Sequence, residues 1–296
     1  MSIPHVFLTR FNLPSEGVES MIRAKEGWLR DRIVLFDRYS VPSVRGQDTG
    51  DVFWIVYLDP ESPAWLKQRM SQLESEGLLA PIYRETVSDD DLAEDIRRVV
   101  GHDRGPVITS NLDNDDGLAT DFVRRLRQAR ITAPRTALYV VFGLIKHGEQ
   151  LFLRHDRDNA FCAVREDLTE LRTCWADWHN RLSRHMPVVE VDGPPGWLQV
   201  VHGNNVSNRV RGRLVGPDAY RAAFPGLLDD VTEPSRTAKL RSGVVDSPVR
   251  FLRDRGRQAI RVGLVRIIGR EGFDRLKYRG AGVLAGVRRR VGGVSS

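Results

Sequence analysis

Val107-Ile108-Thr109-Ser110-Asn111-Leu112-Asp113-Asn114-Asp115-Asp116-Gly117 decides how this chain is read. Its first six residues, apolar and β-branched at the start, predict a buried strand. The strand runs at once into a dense acidic cluster. In an open α/β sheet, ligands sit in the crevice beyond the carboxyl ends of the strands, so Asp113, Asp115 and Asp116 stand where a substrate would bind. Carboxylates this close repel one another unless a cation neutralises them, and hard oxygen donors suit Mg²⁺ or Mn²⁺. Such an ion would in turn grip a diphosphate. The alternative reading is an acidic turn that caps the next helix, since Asp and Asn favour both places. An EF-hand is weakened as a reading because Gly117 falls at loop position 5 rather than 6. A haloacid-dehalogenase-like phosphatase carries its Asp-x-Asp after the first strand, whereas this one follows the fourth.

Working outward, short apolar runs alternate with helical patterns, the signature of an α/β sheet. Strands are predicted at 5–11, 52–58, 81–87 and 107–112, then at 136–145 and 150–153, joined by a hairpin turn over 146–149. Helices are expected over 19–39, ended by Pro42, and over 62–76, 92–100 and 120–130. Asp89, Asp90 and Asp91 supply a cap and favourable charge for the third of these. Leu168, Leu171, Trp175, Trp178 and Leu182, three to four apart, predict a helix over 166–185. An irregular Gly193-Pro194-Pro195-Gly196 leads into an apolar strand that ends at His202, and the domain is expected to close near Gly216-Pro217.

Several pieces together resemble one family: Phe7-Leu8-Thr9-Arg10-Phe11, Pro42-Ser43-Val44 with Gln47, Trp54-Ile55-Val56-Tyr57-Leu58-Asp59, the 110–117 cluster, and VVHGNNVSN over 200–208. They are similar to the bacterial rhamnosyltransferases, which in turn resemble nucleotide-sugar glycosyltransferases of the GT-A fold. The resemblance covers about residues 3–216. It implies a GT-A-like, Rossmann-like mixed sheet flanked by helices over 1–217, and a metal-dependent transfer of a sugar, rhamnose by the family's name, to a glycan or lipid-linked acceptor of the cell envelope.

Residue by residue, the resemblance puts Thr9 and Arg10 beside the nucleotide and Asp59 at its base. Asn111, Asp113 and Asn114 would face the nucleotide, with Asp113 toward the ribose, and Asp113, Asp115 and His202 would hold Mn²⁺ or Mg²⁺. For His202 the alternative is a strand-terminal histidine satisfied by a backbone carbonyl. If the reaction inverts the anomeric centre, a carboxylate must deprotonate the acceptor. Glu166, Asp167 and Asp177 lie in the interval where related enzymes carry that base, although each also reads as an N-cap or a solvated helix face. Arg10 or Arg209 would share the charge of the leaving diphosphate. Of the aromatic residues that could stack on an acceptor sugar, Trp175 and Trp178 read as core and Trp197, beside the Pro-Gly loop, stands out. His179 and His185 have no spacing that suggests a partner.

Charge divides the chain. The 296 residues carry +6 overall, but from Arg236 onward 16 basic residues face four acidic ones, a net of +12, which leaves −6 for the rest. Residues 218–296 are expected to form a basic, mainly helical extension. Ile260, Leu264, Ile267 and Ile268 make a two-turn stripe flanked by Arg257, Arg261, Arg266 and Arg270. That composition points to an anionic bilayer surface, or alternatively to packing on the catalytic domain. A nucleic-acid-binding protein is the reading from another class, weakened because only Phe251, Phe273 and Tyr278 are interleaved among the charges. A nucleotidyltransferase would use the same acidic cluster.

No run reaches the 18 or so apolar residues of a spanning helix, and the first residues lack the features of a signal peptide, so a cytoplasmic enzyme is expected, peripheral at most on the inner face of the plasma membrane. Cys162 and Cys174 are the only cysteines, too few for a disulfide framework or a thiolate zinc site. They read as reduced thiols outside the mechanism.

Overall fold

A computed structural model describes residues 2–14, 27–131, 133–202 and 210–241. The chain divides into two compact units, Met1–Lys239 and Leu240–Ser296. The stripe at 260–268, the aromatics Phe251, Phe273 and Tyr278, and Arg209 lie outside the described residues. The first unit runs past the expected boundary at 217, because Tyr220, Phe224, Leu227, Leu228 and Val231 pack onto a sheet of that unit.

Its frame is a seven-stranded sheet in which four adjacent strands pair parallel: β1 (His5–Arg10), β2 (Val52–Leu58), β3 (Ala80–Tyr83) and β4 (Pro106–Asn111). Their side chains alternate between two cores. Phe7, Trp54, Val56 and Leu58 enter one, while Val6, Leu8, Ile55 and Tyr57 enter the other. Both faces are covered, which is why the strands are apolar without a break. The crossover helix α3 (Ala64–Ser75) buries Leu66, Met70 and Leu73 in the first core, and α4 (Asp89–Val100) buries Leu92 and Ile96 in the second. Helix α4 starts on a capping box in which Ser88 and Asp91 satisfy each other's backbone amides.

Beyond β4 one strand is reversed, and the two after it run parallel again. Strand β9 (Ala163–Asp167) lies between β4 and β6 (Thr136–Val140), and β10 (Val188–Val191) closes the edge. A second, five-stranded sheet has the order β12 (Arg213–Val215), β8 (Gln150–His155), β7 (Phe142–His147), β11 (Trp197–Val201), β5 (Gly117–Leu118). The segment read as one strand at 136–145 therefore splits at Val141, and its two halves serve different sheets. The hairpin between β7 and β8 turns at Gly148-Glu149, where Gly148 has φ +56°.

Two helical expectations are corrected. Within the described residues, the first helical stretch is α1 (Trp28–Leu35), a widened turn over Phe36–Ser40, and α2 (Val41–Arg45). Pro42 sits in the first turn of α2 instead of ending the run, a place where a missing amide costs nothing. Residues 166–185 form no long helix but the end of β9 and two 3₁₀ turns, Leu168–Glu170 and His179–Arg184. Thr173 stands between them with φ 64°, a left-handed conformation that breaks any helix. The spacing of Leu168 and Leu182 reflects burial from irregular turns. Helix α5 (Phe122–Gln128) follows the acidic cluster.

Candidate active site

Strand β1 has β2 on one side and β4 on the other, so the chain winds outward through β2 and β3 and then returns to the opposite flank. This reversal opens a crevice at the carboxyl ends of β1 and β4. The backbone of Leu112 extends the β4 pairing by donating to Leu8 O, and the acidic turn begins at the next residue.

Three contacts pin that turn. Asn114 Nδ2 donates to Phe11 O at 2.7 Å, and Ser40 Oγ donates to Asp116 O at 2.9 Å and is 3.3 Å from Asp113 O. The carboxylates then diverge. Asp116 points inward: its Oδ1 accepts the Val200 amide at 2.8 Å, while Oδ2 is buried without a hydrogen-bond partner. Burial, with the charges of Asp115 and Asp113 added, pushes its carboxyl well above the usual range. It ties the acidic turn to β11.

Asp115 is nearly buried and faces two basic groups. The guanidinium of Arg32, from α1, forms an ion pair with Oδ2, and His202 Nε2 lies 2.9 Å from the same atom. Burial alone would raise this carboxyl, but the His202 hydrogen bond and the Arg32 charge hold it below the usual range. Asp113 remains open to solvent, though ringed by protein. That crowding, together with the Asp115 charge, raises its carboxyl, while the Asn111 amide at 3.3 Å and the nearby His179 partly oppose the rise.

The donor set fits a hard divalent ion. Octahedral coordination at about 2.1 Å places neighbouring ligands about 3.0 Å apart. Asp115 Oδ2 and His202 Nε2 are 2.9 Å apart. Two protein ligands suffice for an ion whose other positions are taken by phosphate oxygens and water. Among the described residues, no three His, Cys, Asp or Glu side chains converge on one point, so Asp113 does not join this pair.

The other expected residues are distributed unevenly. Arg10 ends β1 at the crevice, with its guanidinium 4.1 Å from the centre of the Trp175 ring. Trp175 Nε1 donates to Asn111 Oδ1 at 2.8 Å, and Asn111 Nδ2 also reaches Ala160 O, so Asn111 braces the rim. Asp59 follows directly on the carboxyl end of β2, where its side chain accepts the Glu61 amide and its own amide donates to Asn12 Oδ1. Thr9 is corrected: it is fully buried, its hydroxyl donates to Leu112 O at 2.6 Å and accepts from Trp54 Nε1 at 2.9 Å, and it fastens three strands together.

Glu166 and Asp167 are also corrected. The register pairs Val107 with Glu166 and Pro106 with Asp167, at the start of β4. Four residues of strand, about 13 Å, separate that level from Asn111. Glu166 is buried there, accepting from Arg135 Nε and from the Arg172 and Thr173 amides, and Asp167 caps the following turn through the Thr169 amide. Neither can reach an acceptor in the crevice. Asp177 lies two residues after Trp175, paired with His185 Nε2 at 3.0 Å and with the Trp178 amide at 2.7 Å. These contacts, His185 first, lower its carboxyl.

The tryptophans exchange roles. Trp197 is core: it stacks on Phe161 at 5.0 Å, donates to Val140 O, and lies so close to Gly143 that a Cβ there would be 1.9 Å from its ring. Trp178 is 71% exposed. It adjoins His179, which interacts with Asp113.

Sequence reasoning missed Arg32 and Ser40. Arg30-Asp31-Arg32 has the look of a solvated helix face, and no spacing links it to residues 82 positions away.

No curated protein is significantly similar in sequence. Solved structures similar to this chain include an inositol-1-phosphate CTP transferase from T. maritima (7% identity, 78% of this chain, 99% of that one, TM-score 0.40). Others are S. aureus TarS (9%, 68% and 60%, 0.39) and a nucleotide-diphospho-sugar transferase structure from Desulfovibrio desulfuricans G20 (9%, 66% and 82%, 0.34). These likenesses are too slight to bear on function. The sequence profile of the family described as "Putative rhamnosyl transferase" matches residues 4–214, which include every described residue of the crevice, and the chain belongs to that family of glycosyltransferases.

Proposed function

We propose that the crevice binds a nucleotide-sugar donor around a divalent cation, Mn²⁺ or Mg²⁺, held by Asp115 and His202, and that the sugar moved is rhamnose. The observation that carries this reading is the meeting of Asp115 and His202 at the point where the sheet reverses its winding. When bound, the ion would act as a Lewis acid on the leaving diphosphate. The protein's own part is orientation and charge. Asp59, at the end of β2, would meet the base, Asp113 the ribose, and Arg10 the diphosphate. Asn111 and Asn114 hold the rim and the turn in place, and buried Asp116 sets the acidic turn against β11.

Deprotonation of the acceptor hydroxyl falls to Asp177, the one of the three candidate carboxylates not held at the far end of β4. Trp178 beside it offers an aromatic face to an acceptor sugar. The net charge of +12 from Arg236 onward favours an acceptor held at an anionic surface, such as a lipid-linked envelope glycan. No helix among the described residues is long and apolar enough to cross a membrane.

The test is incubation with nucleotide sugars, with and without Mn²⁺. Release of free nucleoside diphosphate, dependent on the ion, supports the reading. Release of pyrophosphate would identify a nucleotidyltransferase instead.

A further inference from the structure

Arg32 is a cation placed inside the acidic site. Its side chain is 11% exposed, its guanidinium carbon lies 5.1 Å from the Trp28 ring centre, and one nitrogen, Nη1, both pairs with Asp115 Oδ2 and lies 3.2 Å from Asn114 Oδ1. Its Nε and Nη2 make no hydrogen bond among the described residues. The oxygen it holds is the one that His202 approaches.

We infer that Arg32 is a built-in counter-cation that competes with the divalent ion for Asp115 and, once displaced, takes a phosphoryl oxygen of the donor. The inference rests on the reading that Asp115 and His202 hold such an ion. An ion joining Asp115 Oδ2 to His202 Nε2 needs the electron pairs now shared with protons. Histidine can give up its proton and become a ligand; arginine stays charged at any accessible pH and must move away. With no nucleotide present, the displaced guanidinium loses its partner and is repelled by the ion. With a diphosphate present it gains a better one, since guanidinium matches paired phosphate oxygens.

Ion and diphosphate therefore strengthen each other's binding, and the coupling must be reciprocal. The empty site stays neutralised, so Asp115 does not sit unpaired in a buried position. Arg32 is thus a binding and positioning residue of the donor site, supplied by a helix outside the acidic motif.

The experiment is a Mn²⁺ titration followed by electron paramagnetic resonance. It uses the full chain, alone and with UDP, GDP or dTDP, for the wild type and Arg32→Met. If Arg32 holds Asp115 about nine-tenths of the time, apparent ion affinity is reduced about tenfold. Arg32→Met should then bind Mn²⁺ alone about tenfold more tightly than the wild type, bind the nucleotide more weakly, and lose most of the gain in Mn²⁺ affinity that nucleotide confers. Circular dichroism of the same samples reports folding; if Arg32→Met is unfolded, Arg32→Gln, which removes the charge but keeps a hydrogen-bonding amide, decides in its place.

Unchanged or weaker Mn²⁺ binding in the folded variant, with a wild type that forms the Mn²⁺–nucleotide complex, overturns the role of Arg32 and leaves the ion reading standing. A wild type that takes up no Mn²⁺ with any of the three nucleotides overturns both.

Discussion

His202 Nε2 stands 2.9 Å from Asp115 Oδ2, although 87 residues separate the two along the chain. Strand β11 makes the meeting possible, because its Val200 amide is fastened to Asp116, the neighbour of Asp115. Removing the Asp115 charge should therefore remove the anchor of the ion. Asp115→Asn is expected to lower transfer by about 10²–10³-fold, the usual loss when a stabiliser of developing charge is deleted. His202→Ala should cost less, about tenfold, and be partly restored by excess Mn²⁺. Initial rates measured across a Mn²⁺ series check both, and near-normal turnover by Asp115→Asn would refute its role.

The two tryptophans should separate stability from acceptor binding. Trp197→Ala empties a packed position between Phe161 and Gly143 and should cost about 3–5 kcal/mol of stability in denaturant unfolding. Trp178→Ala touches no core and should change stability by less than about 0.5 kcal/mol. Its effect should appear as a raised KM for the acceptor with unchanged affinity for the nucleoside diphosphate.

Among the carboxylates, Glu166 and Asp177 should behave in opposite ways. Glu166→Ala leaves Arg135 and two amides without their buried acceptor and should cost about 3–5 kcal/mol, while the folded fraction keeps its kcat. Asp177→Asn should leave stability and nucleotide binding in place and lower kcat by about 10²-fold or more, as loss of a general base does. A normal kcat for Asp177→Asn would remove it from the mechanism.

His5 should make the fold sensitive to acid. The ring is fully buried, lies tilted with its centre 4.7 Å from that of Phe7, and has no hydrogen-bond partner on either nitrogen. Burial, assisted by the charge of Arg127, lowers its pKa from 6.5 to about 3. The folded state therefore keeps the ring neutral where the unfolded chain binds a proton, so this contribution to stability is complete above pH 6.5 and is lost as the pH falls toward 3. The slope approaches about 1.4 kcal/mol per pH unit within that window. Unfolding midpoints of the wild type and His5→Phe between pH 7 and pH 4 check this: the variant should lose the dependence that His5 supplies.

Much of the site was legible because its chemistry is local. Asp113, Asn114, Asp115 and Asp116 follow directly on a strand, and strand ends in a parallel sheet place their residues in a crevice. His202 was legible as the residue that ends an apolar run. Thr9 was misread because a polar side chain at the end of a strand suggests a ligand contact, whereas the alternation of the strand turns this one into the core toward Leu112 and Trp54. Trp175 and Trp178 carry helical spacing, yet the left-handed Thr173 breaks the helix and leaves Trp178 facing solvent.

The first four strands with the helices between them, the acidic motif and the division of charge all depend on neighbours in the chain, and the amino-acid sequence by itself determined them. Tertiary structure alone decided that Arg32 lies against Asp115, that Glu166 and Asp167 fall at the far end of β4, and that Trp197 fills the core while Trp178 does not. The reason is physical: propensity, capping and alternation act over a few residues. Strand order and antiparallel register, set by packing across the whole sheet, choose which distant side chains share a crevice.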